Sequence, residues 1–263
     1  MTSVLLPNPA DQPPVNPAPA EPIVYPSEDN EPVAETYDHL YAMLTTLEVL
    51  KQHLAGQSAT VLANQFLYYS QGFPALRVAP DVMVIFNVEA GGRDNYKIWD
   101  EGEVPSVIFE MTSKGTQDKD KVFKKMLYAQ LGVTEYWLFD PKGEWVATKL
   151  EGYRLRGEEY EQIEDQRSEP LGLRLEIEGT LIGFYREDTG EKLLVPSELR
   201  LALQQETQAR IEAQTQAEHE KQRAEQEKQR ADSAEQALAL EQQKAAQLAE
   251  KLRELGIDPE TVG

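Results

Sequence analysis

The chain has 263 residues and a formal net charge of −20, with 46 acidic residues against 26 lysines and arginines. It contains no cysteine, which excludes disulfides, thiolate catalysis and cysteine-bound zinc. There is no N-terminal leader pattern, and no apolar run approaches the ~20 residues that span a membrane. We therefore expect a cytoplasmic protein without membrane contact. Its three histidines stand in no paired metal-ligand spacing, so histidine-bound zinc is not expected.

The N-terminal segment is rich in proline, since nine of the sixteen prolines fall within residues 1–35. Such a composition cannot bury enough apolar surface to order itself, so residues 1–36 are predicted to form a disordered tail. Apolar residues then recur at helical spacing and predict a helix over roughly residues 37–54. These residues are Leu40, Met43, Leu44, Leu47, Leu50 and Leu54.

The central part of the chain alternates between strand-like and helical patterns. Strands are predicted at 60–70, 82–88, 107–111 and 135–140, with a helix at 118–132. The turn residues 89–94 suit an antiparallel connection. Shorter hairpin-like segments follow at 145–150, 152–155, 160–163, 173–177 and 181–185. This order predicts an α/β (α+β) domain over residues 37–196, with a central mixed sheet flanked by helices.

The C-terminal part contains neither Gly nor Pro from residue 197 to residue 255. It predicts one long helix of about 90 Å at ~1.5 Å per residue, followed by a short tail over residues 256–263. A seven-residue repeat is visible, but only its C-terminal part has an apolar seam. The pattern leaves open a homodimeric coiled coil through residues 197–255 and a solvated single helix.

Two acids at strand ends form the candidate site. Asp81 directly precedes an apolar run, and Glu110 ends another. A carboxylate in such a run is costly to bury unless it is paired, protonated or bound to a metal. On neighbouring strands the two could hold Mg²⁺ or Mn²⁺, with the backbone carbonyl of Met111 as a third ligand.

A lysine beside such a cation would orient the attacking water and neutralise phosphate charge. On the helix after Glu110, periodicity places Lys124 and Lys125 on opposite borders of the apolar side, while Lys121 points away. Lys114, in the preceding loop, is a further candidate. Periodicity does not choose among these candidates. The predicted apolar side consists of Val122, Phe123, Met126, Leu127, Ala129 and Leu131.

The charge balance opposes a simple nucleic-acid-binding protein. Residues 37–196 alone carry 26 acids and 17 bases. DNA affinity comes mostly from phosphate neutralisation by Lys and Arg, so weak or assisted DNA binding is expected. A nuclease would need metal ions, a local basic cluster, a partner or an oligomer.

Several motifs carry a resemblance to a known family. They are Arg77-Val-Ala-Pro-Asp81, Glu110-Met-Thr-Ser-Lys-Gly-Thr116, Asp120-x-x-x-Lys124-x-x-x-Tyr128, and Gly132 to Trp137 through Asp140-Pro141. With these motifs, residues from about 60 to 196 resemble the Uma2 family of restriction-endonuclease-like proteins, in the PD-(D/E)XK nuclease superfamily. The long Glu/Gln/Arg/Ala tail ending at Pro259 is also typical of such proteins.

The resemblance implies a restriction-endonuclease-like core in which Asp81 and Glu110 are the metal-binding acids. The superfamily lysine two residues after the second acid would be residue 112, which here is Thr. The resemblance transfers the lysine role to Lys124, with Lys114 as the fallback. It also offers Glu48 as an outer acid on the first helix.

The implied function is a Mg²⁺- or Mn²⁺-dependent DNA endonuclease that hydrolyses phosphodiester bonds with a metal-activated water. Two alternatives stay open. One is a catalytically idle binding or scaffolding domain that oligomerises through its C-terminal helix, which Thr112 and the acidic charge favour. The other is a nuclease acting on RNA or on a recombination intermediate.

Overall fold

The structure is a computed structural model that describes residues 23–29, 35–113, 115 and 119–256. The chain divides after Pro196 into two compact units, which are described separately. The elements of the first unit are α1 (Tyr37–His53), β1 (Ala59–Leu62), β2 (Leu67–Tyr68), β3 (Arg77–Val78), β4 (Val82–Phe86), β5 (Tyr96–Lys97), α2 (Ile98–Glu101), β6 (Val107–Met111), a π-helical turn (Lys119–Lys124), α3 (Lys125–Leu131), β7 (Glu135–Phe139), β8 (Leu150–Arg156), β9 (Glu159–Ile163), β10 (Arg167–Ser168), β11 (Leu173–Glu178) and β12 (Leu181–Arg186).

A six-stranded mixed sheet with the order β1-β4-β6-β7-β8-β9 forms the centre of this unit. Strands β6 and β7 run parallel, and the other neighbours run antiparallel. Two three-stranded sheets accompany it, with the orders β10-β11-β12 and β3-β2-β5. The predicted mixed α/β class and the antiparallel relation of β4 to β6 are confirmed.

Both faces of the central sheet are covered, which explains why its inner strands are almost continuously apolar. Phe109 and Met111 belong to a cluster that packs against α1 and the β10–β12 sheet. Ile108 belongs to a second cluster, with Tyr128 of α3 and Tyr136 of β7. Since side chains alternate along a strand, residue 110 lies on the α3 side of the sheet.

Three predicted segments differ from the structure. The predicted strand over residues 60–70 is two strands in different sheets, because the chain adopts a left-handed conformation at Asn64 (φ 57°) and leaves the pairing with β4. The segment 145–150 is a turn for most of its length, and β8 begins only at Leu150 after the left-handed Lys149 (φ 61°). The connection after residues 89–94 contains β5 and α2, which the sequence patterns did not predict.

Part of the proline-rich segment contacts the domain. The ring of Tyr25 packs edge-on against Tyr68 with centroids 5.1 Å apart, and its hydroxyl accepts a hydrogen bond from the Gly72 amide at 2.7 Å. Tyr25 is therefore partly buried against the domain, while the disorder of residues 1–36 stays a prediction. Residues 1–22 and 30–34 lie outside the described part of the chain.

In the second unit the described residues form the helix α4, which spans Pro196–Glu254 and has 59 residues. The predicted long C-terminal helix is thereby confirmed. None of its residues is buried, and a coiled coil through it stays a prediction. No helix in the described ranges is long and apolar enough to cross a membrane.

The contact between Gly152 and Trp137 offers a test of the packing of the central sheet. The two residues oppose each other on β8 and β7, and a Cβ at position 152 would lie 2.6 Å from Trp137 Cη2 and 2.7 Å from Cε3. The buried ring has no room to move aside. We expect Gly152→Ala to lower the free energy of unfolding by about 1–3 kcal/mol, measured by urea denaturation.

The matched control is Gly92→Ala, where a Cβ meets nothing within 4 Å. Its stability should stay near that of the wild type. Equal stability of the two variants would contradict the close packing of Trp137.

Candidate active site

Asp81 and Glu110 lie side by side in the central sheet, where β4 begins and the neighbouring strand β6 ends. Val82 opposes Phe109 in the antiparallel pairing of β4 with β6, so the residues one position outward, Asp81 and Glu110, are neighbours. The amide of Met111 donates a hydrogen bond to Asp81 Oδ2 at 2.6 Å. This bond fixes the orientation of the Asp81 carboxylate against the end of β6.

Glu110 is a buried carboxyl group with two specific donors. Its side chain is only 1% exposed. Lys124 Nζ lies 2.8 Å from Oε2, and the Tyr128 hydroxyl donates to Oε1 at 2.7 Å. An unpaired buried carboxylate would cost several kcal/mol or take up a proton. The helical segment that carries these two donors is therefore required for the burial of Glu110.

A π-helical turn leads into α3 and places a row of polar side chains against the sheet. Asp120, Lys124 and Tyr128 follow one another at four-residue intervals, and Lys124 Nζ lies 3.1 Å from Asp120 Oδ1. The Tyr136 hydroxyl donates to the Asp120 carbonyl at 3.0 Å, which ties the start of the turn to β7. π-Helical turns are rare and occur often at functional sites.

The charges of this cluster shift its proton equilibria. Burial raises the pKa of Glu110 to about 8; the charge of Lys124 opposes this rise, and the charges of Asp81 and Asp120 add to it. For Lys124, burial lowers the pKa, but the surrounding carboxylates raise it by more, so the ammonium keeps its proton. Burial also raises the pKa of Tyr128, which stays a donor. Glu110 therefore holds a proton to a higher pH than an ordinary carboxyl group does.

A histidine on α1 joins the cluster from the other side of the sheet. His39 Nε2 lies 3.4 Å from Asp81 Oδ2 and 3.4 Å from Glu35 Oε2. Burial lowers the pKa of the imidazole, but the contact with Asp81 and the charges of Glu35 and Glu110 raise it by more. A protonated His39 would offset the negative charge at Asp81. Nothing in the sequence periodicity indicated this residue, because its contact with Asp81 is non-local.

Several polar atoms of the cluster have no hydrogen-bond partner among the described residues. They include Thr112 Oγ1 and the Nδ1 atom of His39, whereas Asp120 Oδ1 is paired with the Lys124 ammonium. Buried polar atoms are nearly always satisfied in proteins. The buried acids Glu110 and Asp120 and the partnerless hydroxyl of Thr112 beside them therefore mark this cluster as the candidate functional site.

The candidate lysines occupy different places. Lys124 contacts Glu110, whereas Lys125 Nζ lies 3.3 Å from the ring centroid of Tyr153 and Lys121 Nζ donates to the Trp145 carbonyl. Lys114 lies outside the described residues. Thr112 shares the face of Glu110 and is buried, so the ammonium beside Glu110 comes from the helix and not from position 112.

Two other acids of the sequence motifs do not join the cluster. Glu48 is about half exposed and pairs with Lys51 at 3.2 Å, and its role as an outer acid stays a prediction. Asp140 accepts four backbone amides of the following turn, from residues 142, 143, 145 and 146. Its carboxylate holds this turn in place.

The donor set is compatible with a hard divalent cation. Within the described ranges no three His, Asp or Glu side chains form a ready metal-binding group. Asp81 and Glu110 nevertheless offer two carboxylates, and the Met111 carbonyl faces the same side as its amide, toward Asp81. Mg²⁺ is often bound by one or two carboxylates and retains several waters. Asp120, whose Oδ1 pairs with the Lys124 ammonium, lies in the same cluster.

Comparison with known proteins places the chain in a family. The sequence model of Uma2, described as "Putative restriction endonuclease", matches residues 31–183. This match covers more than half of the chain and includes every residue of the cluster. The chain belongs to the Uma2 family.

One solved structure is similar in outline. It is described as "a putative nuclease belonging to DUF820" from Anabaena variabilis, with 16% sequence identity and a TM-score of 0.39. The match covers 62% of this chain and 80% of the other. No curated protein matches the sequence.

The raised pKa of Glu110 predicts how stability depends on pH in the presence of a chelator. Between the ordinary pKa of about 4.5 and the folded-state value of about 8, the folded protein binds the proton more tightly than the unfolded chain. This contribution to stability is complete below pH ~4.5 and is lost as the pH rises through ~8. We expect Glu110→Gln, which cannot ionise, to flatten this decline, measured by urea unfolding across that range.

Glu48→Gln is the matched control, because it makes the same chemical change on the exposed face of α1. It should keep the wild-type pH dependence. If Glu110→Gln also kept it, Glu110 would not titrate near neutral pH.

Proposed function

We propose that this protein is a metal-dependent DNA endonuclease whose active centre consists of Asp81, Glu110 and Lys124. The observation that carries the proposal is the contact of a lysine ammonium with a buried carboxylate, 2.8 Å apart, beside a second acid on the neighbouring strand. Two acids and a lysine at one sheet edge are the groups that metal-assisted phosphodiester hydrolysis needs. Membership of the Uma2 family supports the proposal.

In this proposal Asp81, Glu110 and the Met111 carbonyl hold Mg²⁺ or Mn²⁺. Such a cation would supply Lewis-acid stabilisation of the scissile phosphate and a water of lowered pKa. Glu110 must be ionised to act as a ligand. Since its pKa is raised to about 8 in the free protein, metal binding would release a proton and strengthen with rising pH.

The residues of the chain have separate tasks in the reaction. The Met111 amide directs Oδ2 of Asp81 toward β6 and leaves Oδ1 for a ligand. Lys124 keeps its charge and stands where it can neutralise a phosphate oxygen or orient a water. Tyr128 holds the second oxygen of Glu110 in place.

DNA is the substrate that the family description favours, and an RNA strand or a branched intermediate would use the same chemistry. The net charge of −20 predicts weak binding of the backbone phosphates. The affinity for DNA should therefore depend on the bound cation, because the cation offsets the negative charge of the acids at the place where the scissile phosphate would bind. Assays on double-stranded DNA, single-stranded DNA and RNA with the same metal separate these substrates.

An idle nuclease fold that binds or scaffolds is the competing proposal. It is favoured by Thr112, which stands where the superfamily carries lysine, and by the two donors already bonded to Glu110. Calorimetric titration with Mn²⁺ distinguishes the two proposals. An idle site held closed by Lys124 and Tyr128 should bind no metal.

The two acids can be tested without changing side-chain size. We expect Asp81→Asn and Glu110→Gln each to lower Mn²⁺-dependent cleavage of plasmid DNA by about 100-fold or more, as is typical when a key electrostatic group is removed. Calorimetry should show the loss of Mn²⁺ binding in parallel. Asp188→Asn, at a surface pair with Arg186, is the control and should cleave like the wild type. Full activity of either acid variant would refute the proposed centre.

The lysine assignment has its own test. We expect Lys124→Met to abolish cleavage, because Met keeps the length of the side chain but lacks the ammonium beside Glu110. Lys125→Met changes the next residue, whose ammonium lies over Tyr153, and should remain active. Lys114→Met completes the comparison. Loss of activity in the Lys114 or Lys125 variant alone would move the role away from Lys124.

A further inference from the structure

The helical segment that carries Lys124 presents its apolar side to solvent. Val122, Phe123 and Met126 are 62%, 53% and 58% exposed, whereas Asp120 and Tyr128 are buried on the opposite face. The sequence periodicity predicted the reverse orientation, with these apolar residues in the core. We name Val122, Phe123 and Met126 the α3 ridge. Contiguous exposed apolar residues of this size mark interaction surfaces more often than isolated ones do.

A groove runs beside the α3 ridge. It has a volume of about 460 Å³, and Lys121, Lys125 and Met126 form one wall. The opposite wall comes from the start of β9 and includes Glu158, Glu159 and Tyr160. The groove therefore has a lysine border and a glutamate border, and the apolar residues of the α3 ridge lie on the lysine side.

The charges on the two borders are not satisfied within the unit. Lys121 donates to a backbone carbonyl and Lys125 lies over an aromatic ring. In the part of the chain that the structure describes, neither lysine forms an ion pair, and the same holds for Glu158 and Glu159. Four charged groups beside the exposed ridge are thus without an ion-pair partner among the described residues.

We propose that the α3 ridge and its groove form an interface between two copies of this chain. A two-fold interface uses the same patch on both copies and must be self-complementary. In such an interface the lysine border of one copy faces the glutamate border of the other, and the two ridges cover each other. A surface that carries a lysine border, a glutamate border and exposed apolar side chains meets this requirement.

DNA fits the same surface less well. Phosphates would meet the lysine border, but Glu158 and Glu159 on the other wall would repel them. The interface is independent of whether the cluster around Glu110 is catalytic. It concerns the same helical segment, however, so a second copy would hold the segment that carries Lys124.

The absence of cysteine from the chain makes a direct test possible. Full-length variants with one cysteine at position 122, 123 or 126 (Val122→Cys, Phe123→Cys, Met126→Cys) can form a disulfide only with a second copy. Under mild oxidation we expect at least one of them to form a covalent dimer about tenfold faster than Ile177→Cys, which places an exposed cysteine on β11. Rates no faster than this control at all three positions would overturn the proposal.

Charge reversal tests the complementarity of the two borders. In the cysteine variant that cross-links fastest, we expect Lys121→Glu with Lys125→Glu to reduce cross-linking to the control rate, and Glu158→Lys with Glu159→Lys to do the same. A mixture of the two proteins should restore the covalent dimer, because each changed border then meets an opposite charge. No recovery in the mixture would overturn the self-complementary interface, as would DNA binding that the lysine reversals abolish without changing the cross-linking rate.

Discussion

The contact of Lys124 and Tyr128 with the buried carboxyl group of Glu110 is the interaction on which the rest of the site depends. A carboxyl group that is 1% exposed at the end of β6 is tolerated only if donors reach it. Those donors come from the segment after β6, which must approach the sheet with its polar side. The same constraint that assembles the site leaves Val122, Phe123 and Met126 in solvent. The burial of Glu110 therefore accounts for both the candidate site and the exposed α3 ridge.

The π-helical turn follows from this arrangement. Asp120 and Lys124 are four residues apart and in contact, and Lys124 and Tyr128, again four apart, share Glu110 as a partner. The row continues from the π-helical turn into α3 without leaving the sheet. Tyr136 anchors the start of the turn through its bond to the Asp120 carbonyl. The resemblance motif Asp120-x-x-x-Lys124-x-x-x-Tyr128 therefore describes one face of a helical segment, directed at the second acid.

Some of the site could be predicted from local patterns, and some could not. Asp81 and Glu110 were recognisable because each stands beside a run that must be a buried strand, and acids there are costly. On the helix, periodicity narrowed the choice of the site lysine to Lys124 and Lys125, but it could not choose between them. The amphipathic pattern predicted the wrong buried side for the helical segment that carries Lys124, because helices at functional sites can turn polar groups inward. His39 was missed because its partner Asp81 is remote in sequence.

The sequence by itself determined the elements and the chemistry that they carry: apolar runs predict the central strands, the lack of Gly and Pro predicts the long helix α4, and the positions of the acids predict a hard-cation site. These properties follow from local composition and spacing, because each residue influences the conformation of the backbone near it in the chain. Only the tertiary structure decided which lysine meets Glu110, which side of the helix faces the sheet, and that His39 reaches Asp81. Such choices depend on the balance between the cost of burial and the gain from electrostatic pairing. The paired residues are distant in sequence, so no short segment of the chain contains both of them.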